Sequence, residues 1–350
     1  MLAGPRGRRL CWTLAGVYGP QGLKAGVPGW REVMFGTGPA SPDQLAAELR
    51  DVVAGRYLDA IATLTDESAL LGPLTAAVNS AMYWQEPDDV DAVLADDAVS
   101  ASLAPVAAAV TAAPASRWWA SPVDRNRQVY VHFLLAGDRQ ADGRPALRGA
   151  ATRLASWRAN TASEELVAAA ERPADPSAGY SGRWWSAPNM SGLVVTTRPL
   201  SGLGAVRLWL VEDNLGWSGA RCWSAVPRPA ARVYEIRGPG DWESLVTRYP
   251  LDVTRSRRHD WWRATGWAGR WLIPDFAGVA ADYDAVHLTV GGYLTTAGRA
   301  LAVGDDRTML AGWDPDATYW LADVLAGVGG PVRWKISPDD RWSAVSGTDA

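Results

Sequence analysis

Gln128-Val129-Tyr130-Val131-His132-Phe133-Leu134-Leu135 is the stretch on which the fold class turns. It is β-branched and aromatic, it carries no formal charge, and it reads as a strand. The chain before it reads as helix, and the chain after it alternates short strands with helices. The expected class is therefore α+β: a mainly helical N-terminal part followed by a mixed α+β domain with short strands. An alanine-rich helical region is placed at 1–114 and a tryptophan-rich α+β domain at 115–350. A sub-boundary is marked near 172–180 by Arg172-Pro173-Ala174-Asp175-Pro176-Ser177-Ala178-Gly179.

Upstream, Ser41-Pro42-Asp43 opens a helix. Leu45, Leu49, Val52, Val53, Tyr57, Leu58 and Ile61 then recur at helical spacing through Leu64. Glu67 to Trp84 continues in that style. Pro87 to Ala98 reads as an acidic helix with a solvated charged face. Pro5 to Arg9 followed by Leu10 to Val17 imitates a charged and then apolar leader with a twin-arginine flavour. The apolar run is short and no small-x-small cleavage site closes it, so a first strand or a misplaced start codon is the preferred reading. Ala98 to Ala115 is uncharged but mostly alanine and serine, too weakly apolar to span a membrane.

Downstream, strands are expected at Leu193–Thr197, Ala205–Val211, Arg232–Ile236, Ala285–Thr289 and Thr308–Ala311. Helices are expected at Arg148–Trp157, Ser163–Ala170 (capped by Ser163), Asp241–Tyr249 and Phe276–Asp282.

The chain has 350 residues and a formal net charge of -4, so no chain-wide basic footprint for nucleic acid exists. Lys24 and Lys335 are the only lysines, a bias that fits GC-rich coding. The unusual quantity is 20 tryptophans against 3 phenylalanines, with three of the twenty before residue 115. Trp118-Trp119 and Trp184-Trp185 sit in matching contexts, each before a β-like run, and Trp261-Trp262 forms a third pair. Neighbours on a strand face opposite ways, so one indole of each pair is expected outside the main core, and some of these are expected to line a pocket.

Cys11 and Cys222 read as small core residues in a reducing compartment, and a cytoplasmic protein is expected. The three histidines, His132, His259 and His287, show no metal spacing, and no metal site is expected. His132 reads as a core residue and His259 as exposed. On its strand His287 faces away from Val286 and Leu288. Asp305-Asp306 and Asp314-Pro315-Asp316 read as acidic turns; paired carboxylates of this kind also serve glycoside hydrolysis. No glutamate follows Glu243, so carboxylate chemistry in the last hundred residues must use aspartate.

Several segments, in order, resemble the ADP-ribosyltransferase fold. Val194-Val195-Thr196-Thr197-Arg198 resembles its strand-end Ser/Thr-Thr-Ser motif. Ala231-Arg232-Val233-Tyr234-Glu235-Ile236 is similar to its "VYEV" strand. Val279 to Val286 is similar to its "YDGV" turn and strand, and Met309 to Asp316 resembles the closing strand. Pro274 to Leu321 also resembles a group of uncharacterised actinobacterial proteins. The resemblance spans about residues 180 to 325 and implies NAD as co-substrate. It implies Glu235 and His132 as catalytic residues, with Arg183, Thr196, Thr197, Trp184 and Tyr283 binding the cofactor. Thr308, Met309 and Leu310 occupy the closing-strand neighbourhood, which leaves Glu235 as the strand glutamate. The alternative is a non-catalytic tryptophan-rich module for a peptide, a glycan or a protein partner. A nucleotide or a protein is the expected partner, with neither nucleic acid nor membrane.

Overall fold

The computed structural model describes residues 1–18, 42–52, 56–135, 143–214 and 216–345. Up to residue 120 the described chain is helical, with helices at Pro5–Tyr18, Pro42–Val52, Arg56–Ala62, Ser68–Asn79, Asp89–Leu94, Asp97–Ser102 and Ala104–Ala112 and a 3-10 turn at Pro114–Ala120. The expected first strand is a helix. Proline is tolerated in its first turn, and Leu10, Cys11 and Leu14, at helical spacing, are fully buried. The stripe expected to Leu64 falls on helices Pro42–Val52 and Arg56–Ala62, and its Val53 lies outside the described residues.

The acidic segment is also less solvated than expected. Asp88 and Asp96 accept backbone N–H groups at the starts of their helices, and Asp91 is buried in an ion pair with Arg6. Among the described residues no single helix is long and apolar enough to cross a membrane.

From residue 128 the chain builds strands: β1 (Gln128–Leu134), β2 (Val195–Thr197), β3 (Pro199–Leu200), β4 (Gly204–Ala205), β5 (Gly219–Pro227), β6 (Val233–Ile236), β7 (Pro250–Asp252), β8 (Trp271–Pro274), β9 (Ala285–Leu288), β10 (Leu301–Val303), β11 (Asp306–Thr308), β12 (Thr318–Trp320), β13 (Leu325–Val328), β14 (Val332–Ile336) and β15 (Trp342–Ala344). The main sheet runs β15-β14-β5-β1-β2-β12-β9-β6, with β13 also on β5. Its pairs are antiparallel except β6 with β9. A smaller sheet runs β10-β11-β8-β7, and β3 pairs with β4. Helices Ala150–Glu171, Pro239–Arg248, Thr254–Thr265, Phe276–Asp282 and Val290–Thr296 complete an α+β fold.

Three downstream expectations change. Arg148–Trp157 and Ser163–Ala170 are one helix, Ala150–Glu171, because its start is capped from a distance. The Asp323 carboxylate accepts the N–H groups of Gly149 (2.9 Å) and Ala150 (3.0 Å), so no internal cap at Ser163 is required. Of Ala205–Val211 only Ala205 is in a strand, and Val206–Leu208 form a 3-10 turn. The Arg207 N–H donates to Thr197 Oγ1 there, which bends the chain out of the extended state. The strand expected at 308–311 is shifted to β11, and Leu310 makes only an isolated bridge to Ala297.

One core cluster runs from Leu10 to Leu321, so the helical region and the tryptophan-rich region share it. Helix Pro5–Tyr18 lies on helix Val290–Thr296, and Trp119 beside the residue 115 boundary is buried in the same cluster. Ten of the described tryptophans are buried and nine are half-buried. The tryptophan pairs lie in a 3-10 turn, an irregular segment and a helix, and none is on a strand. Trp119 and Trp261 are buried while their neighbours Trp118 and Trp262 are only half-buried; Trp184 and Trp185 are both half-buried. The split between neighbours therefore comes from packing at each place rather than from strand alternation.

Candidate functional site

The residues assigned by resemblance are distributed over several places. Glu235 on β6 faces His287 on β9: Nδ1 of His287 is 2.6 Å from Glu235 Oε2, and its Nε2 is 3.3 Å from Asp316 Oδ1. Asp316 holds Arg198 through Nε (2.6 Å) and the backbone N–H (2.8 Å), and Val123 N–H donates to Glu235 Oε1 at 3.1 Å. Burial works against charge on His287, but its contacts with Asp316 and Glu235 outweigh that and raise its pKa. Both Glu235 oxygens are thus engaged in tying β6, β9 and two loops together. His132 is on β1, four strand spacings away in the sheet order, about 19 Å at ordinary strand separation. Glu235 and His132 are not brought together.

Arg183 pairs with Glu164 at 3.3 Å. Thr196 is buried between Gln128 and Trp320, and Tyr283 packs edge-on to Tyr234. His259, expected exposed, is buried in helix Thr254–Thr265, and its pKa is lowered by burial and by Arg258 and Arg172. Asp314 and Asp316 are not solvated turns but buried partners of Arg207 and Arg198. Cys11 and Cys222 are free and buried, and burial pushes both thiols up to about 12. Among the described residues no group of three or more His, Cys, Asp or Glu side chains is arranged to hold a metal ion.

One of those residues lines a cleft, and another supports its wall from behind. Trp184 lines a cleft of about 360 Å³, and Thr197 fixes the backbone of Arg207 on its wall. Trp184, Trp185 and Trp217 supply the aromatic surface, and Glu212, Asp213 and Asp314 the acidic one. Trp184 and Trp185 meet edge to face at 5.9 Å, with Trp84 behind Trp184 at 5.1 Å. Asn189 closes one side, its Nδ2 donating to the Gly312 carbonyl at 2.7 Å.

The three carboxyl groups differ in environment. Arg207 Nε donates to Asp314 Oδ2 at 2.8 Å, and Glu212 N–H donates to Asp314 Oδ1 at 3.0 Å. Burial opposes the Arg207 charge, but Asp314 outweighs it and raises the guanidinium. Glu212 is buried: its Oε2 accepts Gly312 N–H at 2.6 Å, while its Oε1 has no partner in hydrogen-bond geometry. Burial first, and then the Asp314 and Asp213 charges, raise Glu212 well above the usual carboxylate range against the opposing pull of Tyr293 and the Gly312 N–H. Asp213 is half-buried at the mouth. Burial, with the Asp314 charge beside it, pushes its pKa to about 7. Its backbone has φ 56, the left-handed region that a non-glycine residue seldom occupies. Gly312 has φ 68, and a Cβ there would lie 2.4 Å from that of Trp185.

Glu212 and Asp213 were missed in the sequence. The available signal was an adjacent acidic pair ending the apolar run Val206–Val211, four residues before Trp217. The chain matches no protein-family model, no curated protein and no solved structure.

Proposed function

We propose that the tryptophan-lined acidic cleft binds a sugar and cleaves or transfers its glycosidic bond, in the cytoplasm. One observation carries this reading. Three indoles and three carboxyl groups in distinct electrostatic settings line a single cleft. Indole faces stack on the apolar faces of pyranose or ribose rings, and carboxyl groups serve the hydroxyls and the scissile bond.

Asp213, raised to about 7, is about half protonated at neutral pH and gives its proton to the leaving oxygen or nitrogen as that atom's bond to the anomeric carbon breaks. Water, or the hydroxyl of an acceptor, then bonds to the anomeric carbon and returns its proton to Asp213. Asp314, oriented by Arg207 and by the Glu212 N–H, stabilises the oxocarbenium-like charge on the sugar. Glu212 holds the Gly312 backbone, and its raised pKa disfavours a second negative charge beside Asp314. The free, buried cysteines fit a reducing compartment.

ADP-ribosyl transfer from NAD is a second reading and is favoured by one observation: Trp184 lines this cleft, and buried Thr197 holds the backbone of Arg207 on its wall. NAD carries an N-glycosidic bond, so the same aspartates would act on it, and Glu235 would position strands instead. The test incubates the full chain with a panel of aryl glycosides, oligosaccharides and NAD, and follows aglycone, reducing-sugar or nicotinamide release. Product from a glycoside supports the first reading, and nicotinamide supports the second. Product that persists undiminished in Asp213→Asn would sink both. Glu235→Gln should retain turnover if the cleft is the site. Ligand uptake without product, lost in Trp184→Ala, would reduce the cleft to a binding module.

A further inference from the structure

A second cavity, of about 330 Å³, lies between the first helix, the segment 80–95, and the stretches 264–265 and 298–300. Its floor explains the arginine-rich start of the chain. Arg6 is fully buried, donating to the Ala77 carbonyl (3.1 Å) and to Ser80 and Asp91. Arg9 takes Asp88 at 2.8 Å and Asp91 at 3.3 Å. Both aspartates are therefore compensated.

Arg8 and Arg299 face the same cavity, and among the described residues neither has an acidic partner. Each rests on carbonyls alone: Arg8 Nη1 on Leu2 at 3.0 Å, and Arg299 Nη1 on Thr295 at 2.8 Å. The Nε atoms of Arg6 and Arg8 are buried without a hydrogen-bond partner. Burial, then the charges of Arg6 and Arg299, lowers the Arg8 guanidinium. The lone carboxylate left, Glu86, is exposed at the rim. Arg299 is held in position by Gly298, at φ 72, where a Cβ would lie 2.3 Å from the Tyr83 ring. The rest of the lining mixes apolar residues, among them Met82, Ala92, Ala95 and Ala300, with the uncharged polar Ser80, Gln85 and Thr265.

Two guanidinium groups that face one cavity, each resting on a carbonyl and neither ion-paired among the described residues, repel each other and keep donors free for a further acceptor. An oxyanion supplies the opposite charge and the acceptor, and a guanidinium pair grips carboxylate or phosphate in a bidentate way. We infer that this cavity is a binding site for a small molecule with a carboxylate or phosphate-monoester head and a compact apolar body, the head held by Arg8 and Arg299. The volume sits at the lower end of ligand pockets, which sets the compactness.

The experiment is titration calorimetry and thermal melting of the full chain with phenyl phosphate, benzoate and inorganic phosphate, at ionic strength matched with chloride. One-to-one saturable binding of phenyl phosphate or benzoate is expected, and the better probe identifies the head group. Arg8→Gln and Arg299→Gln should each weaken it tenfold or more, and Glu86→Gln should not weaken it. Ala92→Trp, at an exposed alanine on the wall, should block binding with both arginines intact. It carries the test if Arg8→Gln loses its fold with the Leu2 contact. No probe binding above the chloride control, or unchanged binding in Arg299→Gln and Ala92→Trp, overturns the inference.

Discussion

At the scale of single residues, the cleft separates three acidic side chains by environment. Asp213 must be protonated to act as the acid, so turnover should fall as pH rises through about 7. Asp213→Asn should lower kcat by about a hundredfold to ten-thousandfold, the usual range for a lost general acid. A pH–rate series on both proteins checks this. Glu212 makes a different prediction. Its folded pKa lies above the ordinary 4.5, so the unfolded chain releases that proton first as pH rises. Its stabilising contribution is whole below about 4.5 and declines above it. Glu212→Gln imitates the neutral acid at every pH. It should melt higher than the parent at pH 7 and close to it near pH 4, read by calorimetry. The Asp213 contribution falls in the same direction between its ordinary 3.8 and about 7, and Asp213→Asn isolates it.

At the scale of elements, the network of Glu235, His287, Asp316 and Arg198 joins β6, β9, the turn before β12 and the end of β2. A histidine with a raised pKa stabilises fully below its unfolded value near 6.5, and that stability is lost as pH rises through the folded value. Stability should therefore decline above about pH 6.5, a slope that His287→Ala removes. At pH 6 that substitution takes one partner from buried Asp316, which keeps Arg198, and one from half-buried Glu235, which keeps the Val123 N–H, and should cost about 1 to 3 kcal/mol in a denaturant titration.

Elements were legible where local pattern and packing agree. The β-branched and aromatic composition of β1 and the alternation about His287 in β9 place both strands. Helix Phe276–Asp282 was readable to the residue, and Asp275 caps it by accepting from Ala277 and Gly278. Elements were misread where a distant side chain decides. Asp323 starts the long helix from 173 residues away, and Thr197 bends the chain at Arg207. The candidate site was legible only in part for the same reason. The spacing of Glu212 and Asp213 in the chain says nothing of Asp314, which folds against them from about a hundred residues on.

At the scale of the whole molecule, the shared core means that the helical region and the sheet stand or fall together. Leu14 has no exposed surface and sits in the cluster that reaches Leu321. Leu14→Ala should cost about 2 to 5 kcal/mol. The loss should appear in one cooperative unfolding transition detected alike by far-ultraviolet and near-ultraviolet dichroism. Two separate transitions, with only the first moved, would show that the regions fold apart.

The distribution of tryptophan also sets what light can report about this protein. Among the described tryptophans, only Trp184, Trp185 and Trp217 line the acidic cleft. A ligand seated there quenches the emission of that minority and leaves the blue-shifted glow of the buried indoles in place. A ligand in the arginine cavity meets no indole at all. Partial quenching, silence, and a wholesale red shift are therefore three different optical signatures, for occupation of the cleft, occupation of the cavity, and loss of the core.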